Sequence, residues 1–281
     1  MTIAVTGAAG FIGRHLVRAL VDRGADVTAV VRRMPDTPVP GARYVTLDLA
    51  DADAGTWAAL GAPDRLVHLA WGGLPDYRSR HHFERELPLH YGFLRTLVEA
   101  GLPAMLVAGT CYEYGMIDGA LAEDAVPQPA NPYAFAKAAL LRQLQFLQDE
   151  RGFALTWARL FYMWGSGQAP RALYPLLGAA IARGDATFPM SAGEQLRDYL
   201  PVDRVAALLA ALALRGADDG VVNISSGQPV SVRALVERWI AEAGATIVPE
   251  LGRYPYPDHE PLAFWGATVK RRALLGDDPV P

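Results

Sequence analysis

Short aliphatic runs alternate with longer helical patterns through the first half of the chain, and this alternation limits the possible folds more than any other feature. The runs predict strands at residues 3–6, 27–31, 44–47, 65–69 and 104–108, with two more at 153–159 and 221–224. The patterns between them predict helices at 11–23, 83–100 and 133–148. Strands that are joined through helices lie parallel, with right-handed crossovers. We therefore predict an α/β fold with a doubly wound parallel sheet.

A glycine-rich turn joins the first predicted strand to the first predicted helix. Gly7, Gly10 and Gly13 lie in the sequence TGAAGFIG at residues 6–13. Glycines at such a turn let a pyrophosphate approach the backbone amides at the start of the helix. We predict a Rossmann-type dinucleotide site formed by these glycines with Phe11 and Ile12, against the alternative of an ordinary glycine-rich turn.

The second predicted strand ends in two arginines and lacks the acid that usually holds the adenosine ribose of NAD. Arg32 and Arg33 follow Val31 directly, and Arg14 lies in the first turn of the first helix. A guanidinium forms forked hydrogen bonds to a 2′-phosphate. These residues favour NADP(H) over NAD(H), and the alternative is that the two arginines only solvate a loop.

Beyond residue 165 the regular alternation ends. Helical patterns at 171–183 and 231–243 are separated by short segments rich in glycine and proline. We predict a dinucleotide-binding domain at 1–165, to which 197–224 returns, and a smaller C-terminal substrate lobe at 166–196 and 225–281. Four aromatic residues of the tail form either a lid over a ligand or part of the core of the lobe: Tyr254, Tyr256, Phe264 and Trp265.

Tyr133 and Lys137 are candidate catalytic residues, because side chains four residues apart share one face of a helix. A tyrosine exchanges protons poorly near neutral pH unless a nearby positive charge lowers its pKa, and Lys137 supplies such a charge. Thr110 follows the preceding strand, where its hydroxyl can bind a carbonyl oxygen. The alternative is that this pair belongs to an ordinary amphipathic surface.

Composition argues against several classes of partner. A net charge of −4 and a pI of about 5.9 argue against nucleic acid. The longest apolar stretch, 205–214, is shorter than the ~18 residues of a spanning helix, so we expect no membrane partner. The single cysteine, Cys111, and an N-terminus without a signal pattern lead us to expect a cytoplasmic protein. We expect no metal site, since His81, His82 and Glu84 are interpreted as the start of a solvated helix.

Taken together, the motifs resemble those of extended short-chain dehydrogenases/reductases of the NAD-dependent epimerase/dehydratase family, whose members mostly act on nucleotide sugars. The resemblance covers nearly the whole chain. The motifs that carry it are TGAAGFIG at 6–13, Asp48-Leu49, His68-Leu69-Ala70, GTCYEYG at 109–115, Tyr133 with Lys137, RLF at 159–161, Arg197-Asp198-Tyr199 and Asn223.

The resemblance implies roles on the cofactor side of the site. Asp48 and Leu49 would lie near the adenine, and Leu69 and Ala70 would line the cofactor near its nicotinamide. Thr110 would polarise the substrate carbonyl, and Tyr133 would be the acid/base. Lys137 would bind the nicotinamide ribose and lower the pKa of the tyrosine.

The resemblance also implies roles on the substrate side. Arg197 would contact the diphosphate of a nucleotide sugar, with a salt bridge to Asp198 or Asp203 as the alternative. Further substrate contacts are implied for four residues: Trp71, Cys111, Tyr112 and Tyr162.

Departures from the family pattern narrow the function. Cys111 and Tyr112 stand where sugar-nucleotide 4,6-dehydratases carry an Asp-Glu pair, so an elimination would lack its proton-transfer groups. Tyr162 replaces the usual substrate-contacting Asn. We therefore predict an NADPH-dependent reductase that acts on the 4-keto group of a nucleotide-linked 4-keto-6-deoxyhexose. The alternatives are an NAD-dependent nucleotide-sugar 4-epimerase and a non-catalytic NADP(H)-binding protein. The resemblance alone implies a homodimer.

Overall fold

A seven-stranded parallel sheet forms the centre of the computed structural model, which describes residues 1–256 and 260–276. Its strands are β1 (Thr2–Thr6), β2 (Asp26–Val31), β3 (Ala42–Thr46), β4 (Arg65–His68), β5 (Ala104–Thr110), β6 (Ala154–Leu160) and β7 (Gly220–Ile224). Their order across the sheet is β3-β2-β1-β4-β5-β6-β7. The chain therefore reverses its direction of winding between β1 and β4, which is where ligands bind in doubly wound folds. The predicted fold class is confirmed.

The described helices are α1 (Phe11–Val21), α2 (Thr56–Ala59), α3 (Leu87–Glu99), α4 (Pro132–Arg151), α5 (Leu173–Arg183), α6 (Val202–Arg215), α7 (Val232–Glu242) and α8 (Val269–Leu275). Side chains of β1 alternate between two cores: Ile3 and Val5 pack with α1 and α6, and Ala4 packs with α3 and α4. The sheet is thus covered on both faces. None of the described helices is both long and apolar enough to cross a membrane.

A third apolar core lies outside the sheet, between α5 and α7. Short strands border it: Thr187–Pro189 pairs with Val248–Glu250, and Leu196–Arg197 pairs with Val230–Ser231. β7 returns to the edge of the main sheet beside β6, as the sequence pattern predicted. The limits of the two predicted domains stay a prediction, and residues 257–259 and 277–281 of the predicted lobe lie outside the described part of the chain.

One predicted helix has a different start. The pattern at 83–100 indicated one continuous α-helix, but the chain forms a π-helical segment at His82–Glu86 before α3 begins at Leu87. Pro88 lies in the first turn of α3. Because proline has no backbone N–H to donate, it is tolerated in that turn and disfavoured deeper in a helix. The π-helical segment turns His82 and Glu86 inward, and both are buried.

Candidate active site

The glycine turn after β1 has the shape that a dinucleotide pyrophosphate requires. Gly7 has φ of +68°, and a Cβ there would lie 2.8 Å from the backbone nitrogen of Ala70. A Cβ at Gly13 would overlap the carbonyl oxygen of Gly7. Gly10 precedes α1 without any side-chain cap, so the first amides of that helix are available to an anion. Among sequence-predicted cofactor residues, Phe11 and Ile12 open this helix and are half-buried.

The remaining predicted cofactor residues lie at the same edge of the sheet. Arg32 and Arg33 follow the end of β2 and are exposed. Arg14 donates from Nε to the Gly10 carbonyl at 3.3 Å. Asp48 caps a short helical turn after β3, where its carboxylate accepts from the Ala50 amide at 3.0 Å. Three half-buried residues complete this edge: Leu49, Leu69 and Ala70.

The structure brings the three predicted catalytic residues together. Thr110 ends β5, and Asn131 caps α4 by accepting from the Ala134 amide at 2.9 Å. Tyr133 therefore lies in the first turn of α4, where it is buried, and the Thr110 side chain acts to lower its pKa. Lys137 lies one turn later, with only 2% of its surface exposed, and its Nζ donates to the carbonyl oxygen of Ala108 at 2.8 Å.

The pKa of Tyr133 is raised in the structure, whereas the sequence analysis expected Lys137 to lower it. Burial raises the pKa of Tyr133, Tyr77 and Glu113 add to the increase, and the hydrogen bond with Thr110 opposes it. Desolvation is the largest cause of the shift because the Tyr133 phenol is buried, while the Lys137 ammonium donates its hydrogen bond to Ala108. Burial also lowers the pKa of Lys137 to about 7, although Glu113 and Glu86 oppose that change.

Glu113 is a buried carboxylate that the sequence analysis missed. It belongs to the helical turn Cys111–Tyr114 and has no exposed surface. Its Oε1 accepts from the Thr110 amide at 2.8 Å and from Trp157 Nε1 at 3.0 Å, and its Oε2 accepts from Arg159 Nε at 2.8 Å. Both oxygens are thus occupied, and Glu113 fixes the backbone of Thr110. Position i+3 after a Thr that starts a helical turn is a capping-box signal that was available in the sequence.

Cys111 lies in an apolar cluster behind Thr110. The cluster includes Tyr114, Phe161 and Phe264, and Cys111 keeps 5% of its surface exposed. Burial raises the pKa of its thiol, which favours the unreactive protonated form. Phe264 therefore belongs to a core, whereas Tyr254 lines a cavity, and a lid formed by the aromatic tail stays a prediction.

A cavity of about 480 Å³ lies beside these residues, between α5, the strand Thr187–Pro189 and the chain near Tyr254. Tyr162 and Glu260 are among its lining residues. The Tyr112 hydroxyl donates to Glu260 Oε1 at 2.6 Å and lies 3.2 Å from the Tyr162 hydroxyl. Tyr77 packs against Tyr112 and Tyr133, with ring centroids 5.1 and 5.6 Å away. A continuous row of tyrosines thus connects the cavity to Tyr133.

Arg197 lines the cavity, but its partner differs from the two carboxylates considered in the sequence. Its Nη2 lies 2.8 Å from Glu260 Oε2, and its Nη1 donates to the carbonyl oxygens of Leu196 and Leu262. Asp198 instead accepts from the amides of residues 226 and 227, and Asp203 pairs with His15. Glu260 was missed because 63 residues separate it from Arg197 and no local pattern joins them.

Trp71 covers the lysine side of the site. Lys137 Nζ lies 4.0 Å from the centroid of the indole ring, and the ring stacks on His90 at 4.5 Å. The indole Nε1 donates to His82 Nδ1 at 3.1 Å, and His82 is completely buried 5.2 Å from the Tyr133 ring. The interpretation of His82 as part of a solvated helix start was therefore wrong, because the π-helical turn directs this imidazole inward.

Comparisons with known proteins identify the family of the chain. The model of the NAD dependent epimerase/dehydratase family matches residues 3–225. The chain is 29% identical over 271 residues to dTDP-6-deoxy-L-talose 4-dehydrogenase (NAD(+)) of Aggregatibacter actinomycetemcomitans, covering 95% of this chain and 100% of the relative. It is 31% identical over 292 residues to dTDP-6-deoxy-L-talose 4-dehydrogenase (NAD(P)(+)) of Kitasatospora kifunensis, covering 97% and 89%.

A solved structure has the same fold over the full length. MoeE5 in complex with UDP-glucuronic acid and NAD superposes with a TM-score of 0.81 at 29% identity, covering 100% of this chain and 94% of that protein. The matched family range includes the glycine turn, Thr110, Tyr133 and Lys137. The chain belongs to the NAD dependent epimerase/dehydratase family, whose enzymes mostly modify nucleotide sugars with a nicotinamide cofactor.

Proposed function

We propose that the protein reduces the 4-keto group of a nucleotide-linked 4-keto-6-deoxyhexose with NADPH. The observation that carries this proposal is the grouping of Tyr133, Thr110 and Lys137 at the carboxyl edge of the sheet, between the glycine turn and the cavity. Two relatives bear names that describe dehydrogenation at C4 of dTDP-6-deoxy-L-talose. Reduction of a 4-ketone is the reverse of that oxidation.

Each residue of the site has a separate role in the proposed reduction. When bound, the reduced nicotinamide supplies the hydride that reaches the ketone carbon. Tyr133 donates its phenolic proton to the ketone oxygen, and the Thr110 hydroxyl donates a hydrogen bond to the same oxygen. The raised pKa of Tyr133 fits this role, because the phenol is protonated at neutral pH before the step. Lys137 would hold the nicotinamide ribose.

The carboxylates near Thr110 are unsuited to the elimination of water. Glu113 has both oxygens occupied by Arg159, Trp157 and the Thr110 amide. Glu260 is held by Tyr112 and Arg197. An elimination needs an acid and a base that are free to exchange protons with the substrate. This arrangement favours ketone reduction over dehydration.

We assign the cavity of about 480 Å³ to the nucleoside diphosphate. Its walls are mostly apolar and include Phe188, Met190 and Tyr254, which suit a base and a ribose. Arg183 and Arg197 are basic residues of the wall, and each is paired with a carboxylate that also lines the cavity, Asp185 and Glu260 respectively. The diphosphate would contact Arg197. The sugar would then lie along Tyr162, Tyr112 and Tyr77, with its keto group near Tyr133.

We propose that NADPH is preferred over NADH through the arginines that follow β2. Arg32 is exposed at the edge where the adenosine ribose is expected, so its guanidinium is available to a 2′-phosphate. Arg32→Ser should raise the KM for NADPH by roughly 10-fold or more and leave the KM for NADH nearly unchanged, since a hydrogen bond between charged groups is worth about 1.5–3 kcal/mol. Equal changes for both cofactors would contradict this assignment.

A homodimer is also proposed. Phe135 and Phe146 are three helical turns apart on α4, and about half of each side chain is exposed, at 51% and 53%. A second copy of the chain would cover this face. Light scattering of the wild type and of Phe146→Glu should give a dimer and a monomer; a monomeric wild type would refute the proposal.

Cofactor oxidation by the purified protein tests the function directly. NADPH and NADH are supplied separately with dTDP-, CDP- and GDP-linked 4-keto-6-deoxyhexoses, and the product sugars are identified by NMR. Stoichiometric NADPH oxidation with one nucleotide series is expected, and Tyr133→Phe should lose ~100-fold or more in kcat. Tyr91→Phe, on α3, is the matched control. Full activity of Tyr133→Phe would refute the assignment, and an inverted sugar without net oxidation would indicate a 4-epimerase.

A further inference from the structure

Glu86 is a buried carboxylate on the lysine side of the site, and the reduction scheme gives it no role. Only 7% of its surface is exposed. Its Oε2 accepts from His90 Nε2 at 3.1 Å and from the Gly72 amide at 2.6 Å, and its Oε1 lies 2.7 Å from His81 Nε2. These contacts hold the pKa of the Glu86 carboxyl at about 2, with the His90 hydrogen bond as the largest cause. Glu86 is therefore an anion throughout the neutral pH range.

A row of imidazoles continues inward from Glu86. His90 Nδ1 lies 2.8 Å from His68 Nε2, and His68 Nδ1 lies 2.8 Å from the Thr6 hydroxyl. A carboxylate only accepts, so His90 donates from Nε2; because burial lowers the pKa of His90, the ring is neutral and accepts at Nδ1. His68 then donates from Nε2 and accepts from Thr6. Both imidazoles are neutral in this arrangement, and burial lowers the pKa of each.

The positive charge of Lys137 needs a nearby negative charge, and the other ionisable groups described around it do not supply one. Glu113 faces the site from the turn after β5, but it is paired with Arg159. Tyr133 on the same helix is protonated, because burial raises its pKa. His68 on β4 and His90 on α3 are neutral. In the described part of the chain, Glu86 is then the carboxylate left to balance the Lys137 ammonium.

Trp71 and His90 fill the space between the two charges. The Lys137 ammonium lies over one ring of this stack, 4.0 Å from the Trp71 centroid. The indole and the His90 imidazole are almost parallel, with centroids 4.5 Å apart and an interplanar angle of 13°. A cation above an aromatic face is attracted to it, and more strongly where water is excluded. The order is therefore ammonium, indole, imidazole, carboxylate.

We propose that Glu86 is the counter-charge of Lys137, a positioning residue that acts through His90 and Trp71 to keep the buried ammonium charged and in place. A buried cation without a compensating anion loses its proton instead of remaining charged. Glu113 and, to a smaller extent, Glu86 raise the pKa of Lys137 against the larger effect of burial, and Glu113 is already paired with Arg159. The inference relies on the proposed reaction only for its catalytic consequence, since the charge of Lys137 is measurable without substrate.

The composition of the chain allows that measurement. Lys137 and Lys270 are the two lysines of the sequence, so protein labelled with ¹³C and ¹⁵N in lysine gives two side-chain signals in NMR. Lys270→Arg assigns them. Glu86→Gln should lower the titration midpoint of Lys137 by roughly one pH unit, the order expected when one partly screened opposite charge is removed. Glu84→Gln, which neutralises an exposed carboxylate of the same segment, should leave the midpoint unchanged.

A second variant tests the inference at the rim of the site. His81 is partly exposed beside Glu86 Oε1, and His81→Arg places a permanent positive charge there without altering a buried group. The Lys137 midpoint should fall in this variant too, by less than in Glu86→Gln. A Lys137 midpoint that stays within 0.2 pH unit of the wild type in every folded variant would overturn the proposal.

Kinetics give an independent readout if the proposed reduction is observed. The alkaline limb of kcat/KM should move to lower pH in Glu86→Gln and return in Glu86→Asp, which restores the charge. A purely structural role would lower kcat/KM equally at all pH values. Absence of any turnover in the wild type refutes the proposed function and leaves the NMR result to decide the role of Glu86.

Discussion

Replacement of Lys137 by Met should change how the stability of the cofactor-free protein depends on pH. Burial lowers the pKa of Lys137 from its usual 10.5 to about 7. Between these two values the unfolded chain binds a proton that the native protein does not, so the free energy of unfolding rises with pH. Integration over one proton gives a gain of about 2 kcal/mol for the wild type between pH 7 and pH 9. Lys137→Met removes the titrating group and should lack this gain.

Urea unfolding at pH 7, 8 and 9, followed by far-ultraviolet circular dichroism, measures the effect. The quantity to compare is the difference in unfolding free energy between wild type and variant, because the other titrating groups are common to both and cancel. Lys270→Met is the matched control: Lys270 is partly exposed on α8, where its Nζ donates to the Val221 carbonyl. If the difference between wild type and Lys137→Met stays constant within 0.5 kcal/mol from pH 7 to pH 9, the buried-lysine argument is refuted.

Three further outcomes follow from single contacts. Glu113→Gln should lower the free energy of unfolding by about 3–5 kcal/mol, since it leaves Arg159 charged, buried and unpaired; a loss below ~1 kcal/mol would contradict this. Cys111 should resist thiol reagents in the native protein and react in urea, because burial raises its pKa; rapid stoichiometric labelling of native protein would show that the thiol is accessible. Gly13→Ala should abolish binding of the cofactor measured by fluorescence, whereas Gly92→Ala, whose Cβ meets no atom within 4 Å, should bind as the wild type does.

The sheet and the glycine turn were predictable because their signals are local. Strand β1 is buried on both faces, so it appears in the sequence as a short continuous apolar run followed directly by glycines. Tyr133 and Lys137 were also predictable, since helix geometry alone places residues four apart on one face. In each case the information lies within a few residues along the chain.

The environment of these residues was less predictable. The sequence indicated that Lys137 lowers the pKa of Tyr133, but burial by neighbouring elements raises it. The sequence also indicated a solvated position for His82, which the π-helical turn buries against Trp71. Both errors have one cause: desolvation depends on segments that pack from elsewhere, and no motif in the sequence reports it.

The carboxylates that accompany the buried cations were also unpredictable from the sequence. Three cations at the site depend on carboxylates that the sequence analysis did not single out. Arg159 and Arg197 pair directly with Glu113 and Glu260, and in our proposal Glu86 offsets Lys137 through His90 and Trp71. Glu113 and Arg159 are 46 residues apart, and 63 residues separate Arg197 from Glu260. Each pair forms only when distant segments meet at the carboxyl edge of the sheet.

These carboxylates determine whether the motif residues have the charge that the reaction needs. A lysine four residues after a tyrosine is an ammonium in this site only as long as a buried anion offsets its desolvation. The motif is therefore necessary but insufficient: a chain with the same Tyr133 and Lys137 and a neutral residue at position 86 would hold a lysine that loses its proton at lower pH. Loss of the carboxylate would thus weaken the site at neutral pH without altering any residue of the motif.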